Sequence, residues 1–388
     1  MIKTTTNWYD DFSCIGGACT YNCCGSAWKI PVTEEEYARL QKLEHPFRDT
    51  ILDNIEGEPG NRTYKRCDGH CALLTKEGWC SMVQQCGMDV QTAVCRDFPR
   101  SVAVHGDVSE YSTEIACPVL AERMLSGDAL LINEQELPDP SGRRSAGPSR
   151  AYRILKPSRD FLLGLMQITP GEYTYGKVYL IYTLLFRLKE QFARGTVTEA
   201  QAEGITDGLR SEALIEAALM QDASIRENTK RRVLAAVNAL TIEDALGFSR
   251  AGDRLFSDEG PWGDLAELKE DRDRLEKELI PFLSEIEKTY PLMQEAFLTY
   301  AVFLDWIQEE RERFGERLIC RAFEYTMFIL LALAEKRSTG SLSRERFAKI
   351  ISWTDRMVIH NFHLPRIIMH TLEESKAADG AGILTILI

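Results

Sequence analysis

From residue 177 onward, apolar residues recur at three-to-four spacing. The pattern covers 177–194, 198–220, 225–240, 262–279, 291–314, 316–336 and 343–359. That period puts the apolar positions on one face of a helix, so the sequence predicts an α-helical array. Gly195, Gly315 and Gly340 fall where helices should stop, Pro261 and Pro291 fit first-turn positions, and Pro170-Gly171 marks a turn. The first third reads differently. Thr33 followed by Glu34, Glu35 and Glu36 has the form of a capping box and predicts a short helix through Leu43. SVAVHGDVSEYSTEI alternates apolar with polar positions, which predicts a small hairpin over 102–115. The passage LPDPSGRRSAGPSR at 137–150, rich in Pro, Gly and Ser, reads as a linker. The expected architecture is mainly α: a cysteine-rich metal-cluster domain over 1–136 with short helices and a small hairpin, then the linker, then a helical domain over 151–388.

Composition narrows the class without naming a function. Hydrophobic residues are 44% of the 388 and charged residues 27%, ordinary for a globular chain and unlike a disordered or collagenous one. Lys and Arg number 46 against 59 Asp and Glu, a formal charge of -13. That balance disfavours nucleic acid and anionic lipid as partners and suits a basic one. Apolar runs such as VYLIYTLLF from Val178 fall short of the ~20 residues that span a bilayer. The opening MIKTTTNWYD has no apolar signal region. A cytoplasmic protein without a membrane partner is expected.

The cysteines carry the chemistry. Ten of the eleven lie between Cys14 and Cys117, spaced Cys14-x4-Cys19-x3-Cys23-Cys24, then Cys67-x3-Cys71-x8-Cys80-x5-Cys86-x8-Cys95, then Cys117. A disulfide framework suits short secreted domains rather than a chain of this size with an odd cysteine number. Structural zinc usually shows C-x2-C knuckles, which are absent here, although longer loops also supply zinc ligands. An iron–sulfur cluster accepts thiolates from scattered loops and fits their number. Cys320, on an apolar helical stripe, reads as a small buried hydrophobe. Neighbouring Cys23 and Cys24 point opposite ways if the segment is extended.

Two segments, FSCIGGACTYNCCGSAWKIPVTEEEY at 12–37 and CALLTKEGWCSMVQQCGMDVQTAVCRDFPR at 71–100, resemble the flagellin lysine-N-methylase family. That family shares its cysteine cluster with a wider group of small zinc- or iron-chelating proteins. ACPVLAERML at 116–125 is similar to the family's next block, and LTYAVFLDWIQEERERFGERLICRAFEYTMFILLALA and VIHNFHLPRII are weaker matches. The resemblance implies Cys14, Cys19, Cys23, Cys24, Cys71, Cys80, Cys95 and Cys117 as metal ligands of a [4Fe-4S] cluster. Cys67 and Cys86 are extra to the pattern. It further implies methyl transfer from S-adenosylmethionine to a lysine ε-amine, with flagellin or a similar protein as acceptor. The alternatives are a non-catalytic iron–sulfur or zinc delivery protein, or a relative modifying a small molecule or another peptide.

Other residues are weaker candidates. Arg96 and Arg100, beside Cys95, could give charge-assisted hydrogen bonds to a cluster or a cofactor carboxylate. Trp28 and Trp79 are expected to shield the cluster, and His360 and His363 to pack or cap, with a base or ligand role as the alternative. Tyr173, Tyr175, Tyr179 and Tyr182 read as core. No Gly-rich dinucleotide-type loop is present, and neither Cys67-x3-Cys71 nor Cys19-x3-Cys23 continues as the C-x3-C-x2-C of radical enzymes. Direct methyl transfer also needs a neutral lysine, hence a group to take its proton, which the sequence does not identify.

Overall fold

The computed structural model describes residues 2–19, 21–25, 29–137, 147–211, 271–308 and 313–360, with a few isolated positions. Most of the expected linker and, apart from Ala239, the helix expected over 225–240 lie outside these residues, as do Trp28, Pro261 and His363. The described chain is mainly α-helical.

Its one larger sheet joins β1 (Ile2–Thr6), β2 (Arg100–His105), β3 (Val108–Thr113) and β4 (Ile132–Glu136) in the order β2-β3-β1-β4. The expected hairpin is β2 with β3: Arg100 faces Thr113, and His105 faces Val108. Gly106-Asp107 is left as a two-residue loop. Gly106 sits at φ +74, and a Cβ there would collide with the carbonyl oxygen of Gly147, so this turn requires glycine. β1 adds to the hairpin in parallel, Ile2 facing Val108, and β4 closes the far side antiparallel to β1.

Short helices carry the cysteine region: α1 (Glu34–Gln41), α2 (Arg48–Asp53), α3 (Ser81–Cys86), α4 (Ala93–Asp97) and α5 (Pro118–Met124). The capping box at α1 forms as expected, Glu36 N donating to Thr33 Oγ1 at 3.2 Å and Thr33 N to Glu36 Oε2 at 2.9 Å. The long helices follow: α6 (Arg150–Ile168), α7 (Thr174–Arg194), α8 (Glu199–Arg210), α9 (Arg272–Thr289), α10 (Met293–Asp305), α11 (Glu316–Thr339) and α12 (Arg344–Val358). No helix among the described residues is long and apolar enough to cross a membrane.

Three local readings change. α6 fills a stretch of the expected helical domain for which the apolar period marked no particular helix, with Ser149 capping it and Pro157 inside it. The helix expected over 291–314 stops at Asp305, and α11 turns back so that Arg317 and Arg321 both reach the Asp305 carboxylate. Gly315 opens α11 rather than closing a helix. Gly195 and Gly340 do end helices, and Gly340 at φ +79 donates to Lys336 O at 2.8 Å.

Two apolar cores result. The larger one takes Trp8, Val108, Ile115 and Leu120 from the first third and joins them to Tyr152, Leu184, Phe303, Phe323 and Trp353 of the helices. Within it α5 packs on α12 and α12 on α11. Buried ion pairs tie the layers. Arg159 of α6 grips Glu110 of β3 and also donates to Phe303 O of α10 at 3.3 Å, while Lys177 of α7 meets Glu295 of α10 at 2.6 Å. The smaller core, with Ile30, Val32, Leu40, Ile51, Tyr64, Leu73 and Met82, sits under the cysteine-bearing loops.

Candidate metal centre

Cys23, Cys24, Cys71, Cys80 and Cys95 line one pocket together with Ile30, Tyr64, Leu73, Met82 and Phe98. Five sulfurs on an otherwise largely apolar wall come from four places in the chain. Cys23 and Cys24 lie in a 3-10 turn, Cys23–Gly25, rather than an extended segment, and this lets both face the pocket. Cys71 ends a small ribbon in which it pairs with Arg66. Cys80 is the N-cap residue of α3, near the backbone N–H groups of Val83 and Met82 but without a capping hydrogen bond from its side chain, and Cys95 lies within α4. N–H groups at a helix start favour a thiolate.

Cys14, Cys19 and Cys117 stand apart from that lining. Cys14 is exposed and accepts from Gly16 N at 3.4 Å. Cys117 is buried at the N-cap of α5, where its side chain makes no capping hydrogen bond. The extra cysteines lie elsewhere. Cys67 is exposed, and Cys86 Sγ is 3.2 Å from His45 Nδ1. Cys320 is fully buried in α11 among apolar neighbours, as its stripe suggested.

Burial dominates the acid–base state of most of these thiols. It pushes Cys95 up to about 12 and Cys117 up to about 11, and raises Cys19, Cys71 and Cys80 as well. Cys23 is the exception. The Cys24 thiol donates to it and the Arg356 charge lies nearby, so that despite burial its protonation falls to about 6, while Cys24 is raised in turn. A largely apolar pocket in which Cys23 alone is the readily ionised thiol would take a cation by exchanging the remaining protons for metal at sulfur. On a single tetrahedral zinc ion, sulfurs about 2.3 Å from the metal stand about 3.8 Å apart. Among the described residues no trio of thiols lies within 4.8 Å of one another. Five thiols from four places in the chain offer the four sulfurs that a larger, multinuclear centre would take.

The arginines picked from sequence face elsewhere. Arg96 pairs with its neighbour Asp97 at 2.9 Å on the surface. Arg100 donates to Phe12 O at 2.8 Å and lies over the Phe12 ring. The guanidinium groups within electrostatic reach of the thiols belong to Arg66, beside Cys71 and Cys24, and to Arg356, beside Cys19, Cys23 and Cys117. Arg356 comes from α12, and its Nε donates to the Ala116 carbonyl at 2.8 Å. Its guanidinium carbon also lies 4.5 Å from the centre of the ring of Tyr21, a residue between Cys19 and Cys23 in sequence. Nothing in the local sequence singles out this arginine. Trp79 is half exposed and lies on Gly16-Gly17, where any Cβ would strike its indole.

Next to Arg356 lies a polar group that sequence reading met only through His360. Its Nε2 is 3.2 Å from Asp355 Oδ2 and 3.8 Å from Glu114 Oε2, and Tyr300 donates to Glu114 Oε2 at 3.0 Å. Arg321 of α11 holds the other oxygen of Asp355. Against burial, the Arg321 and His360 charges keep Asp355 well below the usual carboxylate range, and Asp355 keeps His360 above its ordinary value. Burial, with the Asp355 charge, raises Glu114.

The fold and site together define a helical protein with a thiol-lined pocket. Over 133 residues, 32% of this chain and 78% of the relative, the sequence is 26% identical to a Salmonella muenchen protein called flagellar biosynthetic protein FliU. No family model matches the chain, and no solved structure does.

Proposed function

We propose that this protein is an iron–sulfur methyltransferase that moves methyl from S-adenosylmethionine to a lysine ε-amine of a flagellar protein. The observation that carries the reading is the meeting of five thiols in one pocket. The similarity to a protein named for flagellar biosynthesis supports the acceptor class. When bound, the cofactor supplies an activated methyl group and the cluster supplies redox-active iron.

The protein's own residues then bind, orient and move a proton. A lysine ammonium has no lone pair, so a base must take one proton before the nitrogen attacks carbon. Glu114 suits that step: its raised protonation brings it nearer to neutral pH, and Tyr300 and His360 hold it in place. The formal charge of -13 draws a lysine-bearing surface towards the protein. The test is intact-protein mass spectrometry of flagellin incubated with cluster-loaded protein, cluster-free protein, or no cofactor. Methyl mass in the first arm alone supports the reading. Failure of the cluster-loaded protein to bind S-adenosylmethionine sinks it.

A further inference from the structure

We propose that Glu114, Asp355 and His360 hold one divalent cation of the manganese type, at a site of oxygen and nitrogen donors distinct from the thiol pocket. The proposal stands apart from the iron–sulfur and methyl-transfer readings. An ion here would engage the Glu114 carboxylate used above for proton removal, so the two uses exclude each other and the ion would inhibit that step.

One carboxylate oxygen from Glu114, one from Asp355 and a ring nitrogen of His360 all lie within 4.8 Å of one another. His360 Nε2 stands 3.2 Å from Asp355 Oδ2 and 3.8 Å from Glu114 Oε2. Donors about 2.1 Å from a shared ion stand about 3.0–3.4 Å apart as neighbours in its shell, so small shifts would close the three on one ion. A proton is a poorer bridge, since Nε2 carries at most one while two carboxylates face it. Asp355 shows the shortfall. It is fully buried, Arg321 holds its Oδ1, and its Oδ2 accepts no hydrogen bond among the described residues. Burying an oxygen in that state is unfavourable, and a metal ion in contact would relieve it. Side chains that bind metal are normally fixed by partners behind them. Tyr300 donates to Glu114 Oε2 at 3.0 Å and itself accepts from Ile115 N at 3.2 Å. Arg321 also pairs with Asp305 at 2.8 Å, so its charge is met without the Asp355 oxygen that faces His360. Glu114 and His360 keep part of their surface exposed, which gives an ion a way in. The mixed donors narrow the choice of ion: carboxylates suit Mg²⁺, Ca²⁺ and Mn²⁺, imidazole suits transition metals, and Mn²⁺ lies where the two preferences meet.

The test titrates the full chain, stripped of metal, with Mn²⁺ alone and follows it by electron paramagnetic resonance. This hard ion leaves the thiols aside. The wild type should take up a single tight ion that shows nitrogen coupling from a coordinated imidazole. His360→Gln should remove the coupling and weaken binding about tenfold or more, while Cys71→Ser/Cys95→Ser should change neither. In the wild type, which no folding defect affects, Mn²⁺ should protect His360 but not the exposed His70 from diethyl pyrocarbonate, read by peptide mass spectrometry. No uptake at millimolar Mn²⁺, or uptake that leaves His360 open to the reagent, would overturn the proposal, as would a nitrogen coupling that survives His360→Gln. Bound Mn²⁺ with undiminished methyl transfer would support the site and count against Glu114 as the base.

Discussion

Arg356 Nε and the carbonyl oxygen of Ala116, 240 positions apart in the chain, meet at 2.8 Å, and this bond fastens the last described long helix to the residue before Cys117. The bond is buried and charge-assisted. Its loss leaves Ala116 O with Ser352 alone.

Arg356→Ala should therefore lower the stability of the metal-free protein by about 1–3 kcal/mol, the usual cost of removing one partner of a buried polar contact. Metal retention should fall with it, because the backbone that aims Cys117 loosens. Urea denaturation and iron content after gel filtration check both parts. An unchanged midpoint and an unchanged iron count would contradict the role given to this bond.

Glu110 is buried, yet Arg159 and His105 hold its carboxyl down to about 2 against the effect of burial. Its folded value lies below the ordinary 4.5, so its contribution is present above about pH 4.5 and disappears as pH falls towards 2. Glu110→Gln should flatten that acid limb. It should also cost about 3–5 kcal/mol at neutral pH, since Arg159 is left charged and buried. Thermal denaturation across an acid pH series reads both effects.

The His360–Asp355 pair runs the other way. His360 is raised above 6.5, so its stabilisation is complete below that pH and fades as pH climbs through the raised value. His360→Gln should remove the alkaline decline and leave the acid limb of Glu110 in place. A wild-type melting temperature that stays flat from pH 6 to about pH 9 would refute the pairing.

Gly17→Ala should displace Trp79, because the new methyl group cannot share space with the indole. Tryptophan emission should shift, and the thiols near Cys19 and Cys80 should react faster with a thiol reagent. Gly208→Ala is the contrasting case. It is exposed in α8 with nothing within 4 Å of its Cβ position, so the change should stabilise the protein by about 0.5–1 kcal/mol. Denaturation midpoints that move in opposite directions, down for Gly17→Ala and up for Gly208→Ala, distinguish the two glycines.

Much of the architecture is legible in the pattern of residues. The hairpin follows from alternation around His105-Gly106-Asp107, and α7, α11 and α12 follow from their apolar period and their glycine ends. β1 and β4 are not legible, because IKTTT and INEQE are polar strands whose partners are chosen across the chain. α6 hides behind a Pro, Gly and Ser run and its own Pro157. At the site, cysteine spacing marks which region matters but not how the sulfurs group. Arg66, Arg356, Glu114 and Asp355 carry no local signature at all. They become neighbours of the thiols or of His360 only when α12 settles on α5 and the Arg66–Cys67 strand folds back on His70–Cys71.

β1 has its consequence in the order of synthesis. This strand leaves the ribosome well before its neighbours β3 and β4, which lie more than a hundred residues behind it, and Arg356 follows later still. Cys14 to Cys24 therefore spend most of translation as unanchored thiols, in a growing chain whose N-terminal part emerges first. Iron arriving early would meet an incomplete set of donors. On the proposed iron–sulfur reading, loading of a centre that includes Cys117 would thus be a late event, timed by the arrival of α12 rather than by the appearance of the cysteines themselves.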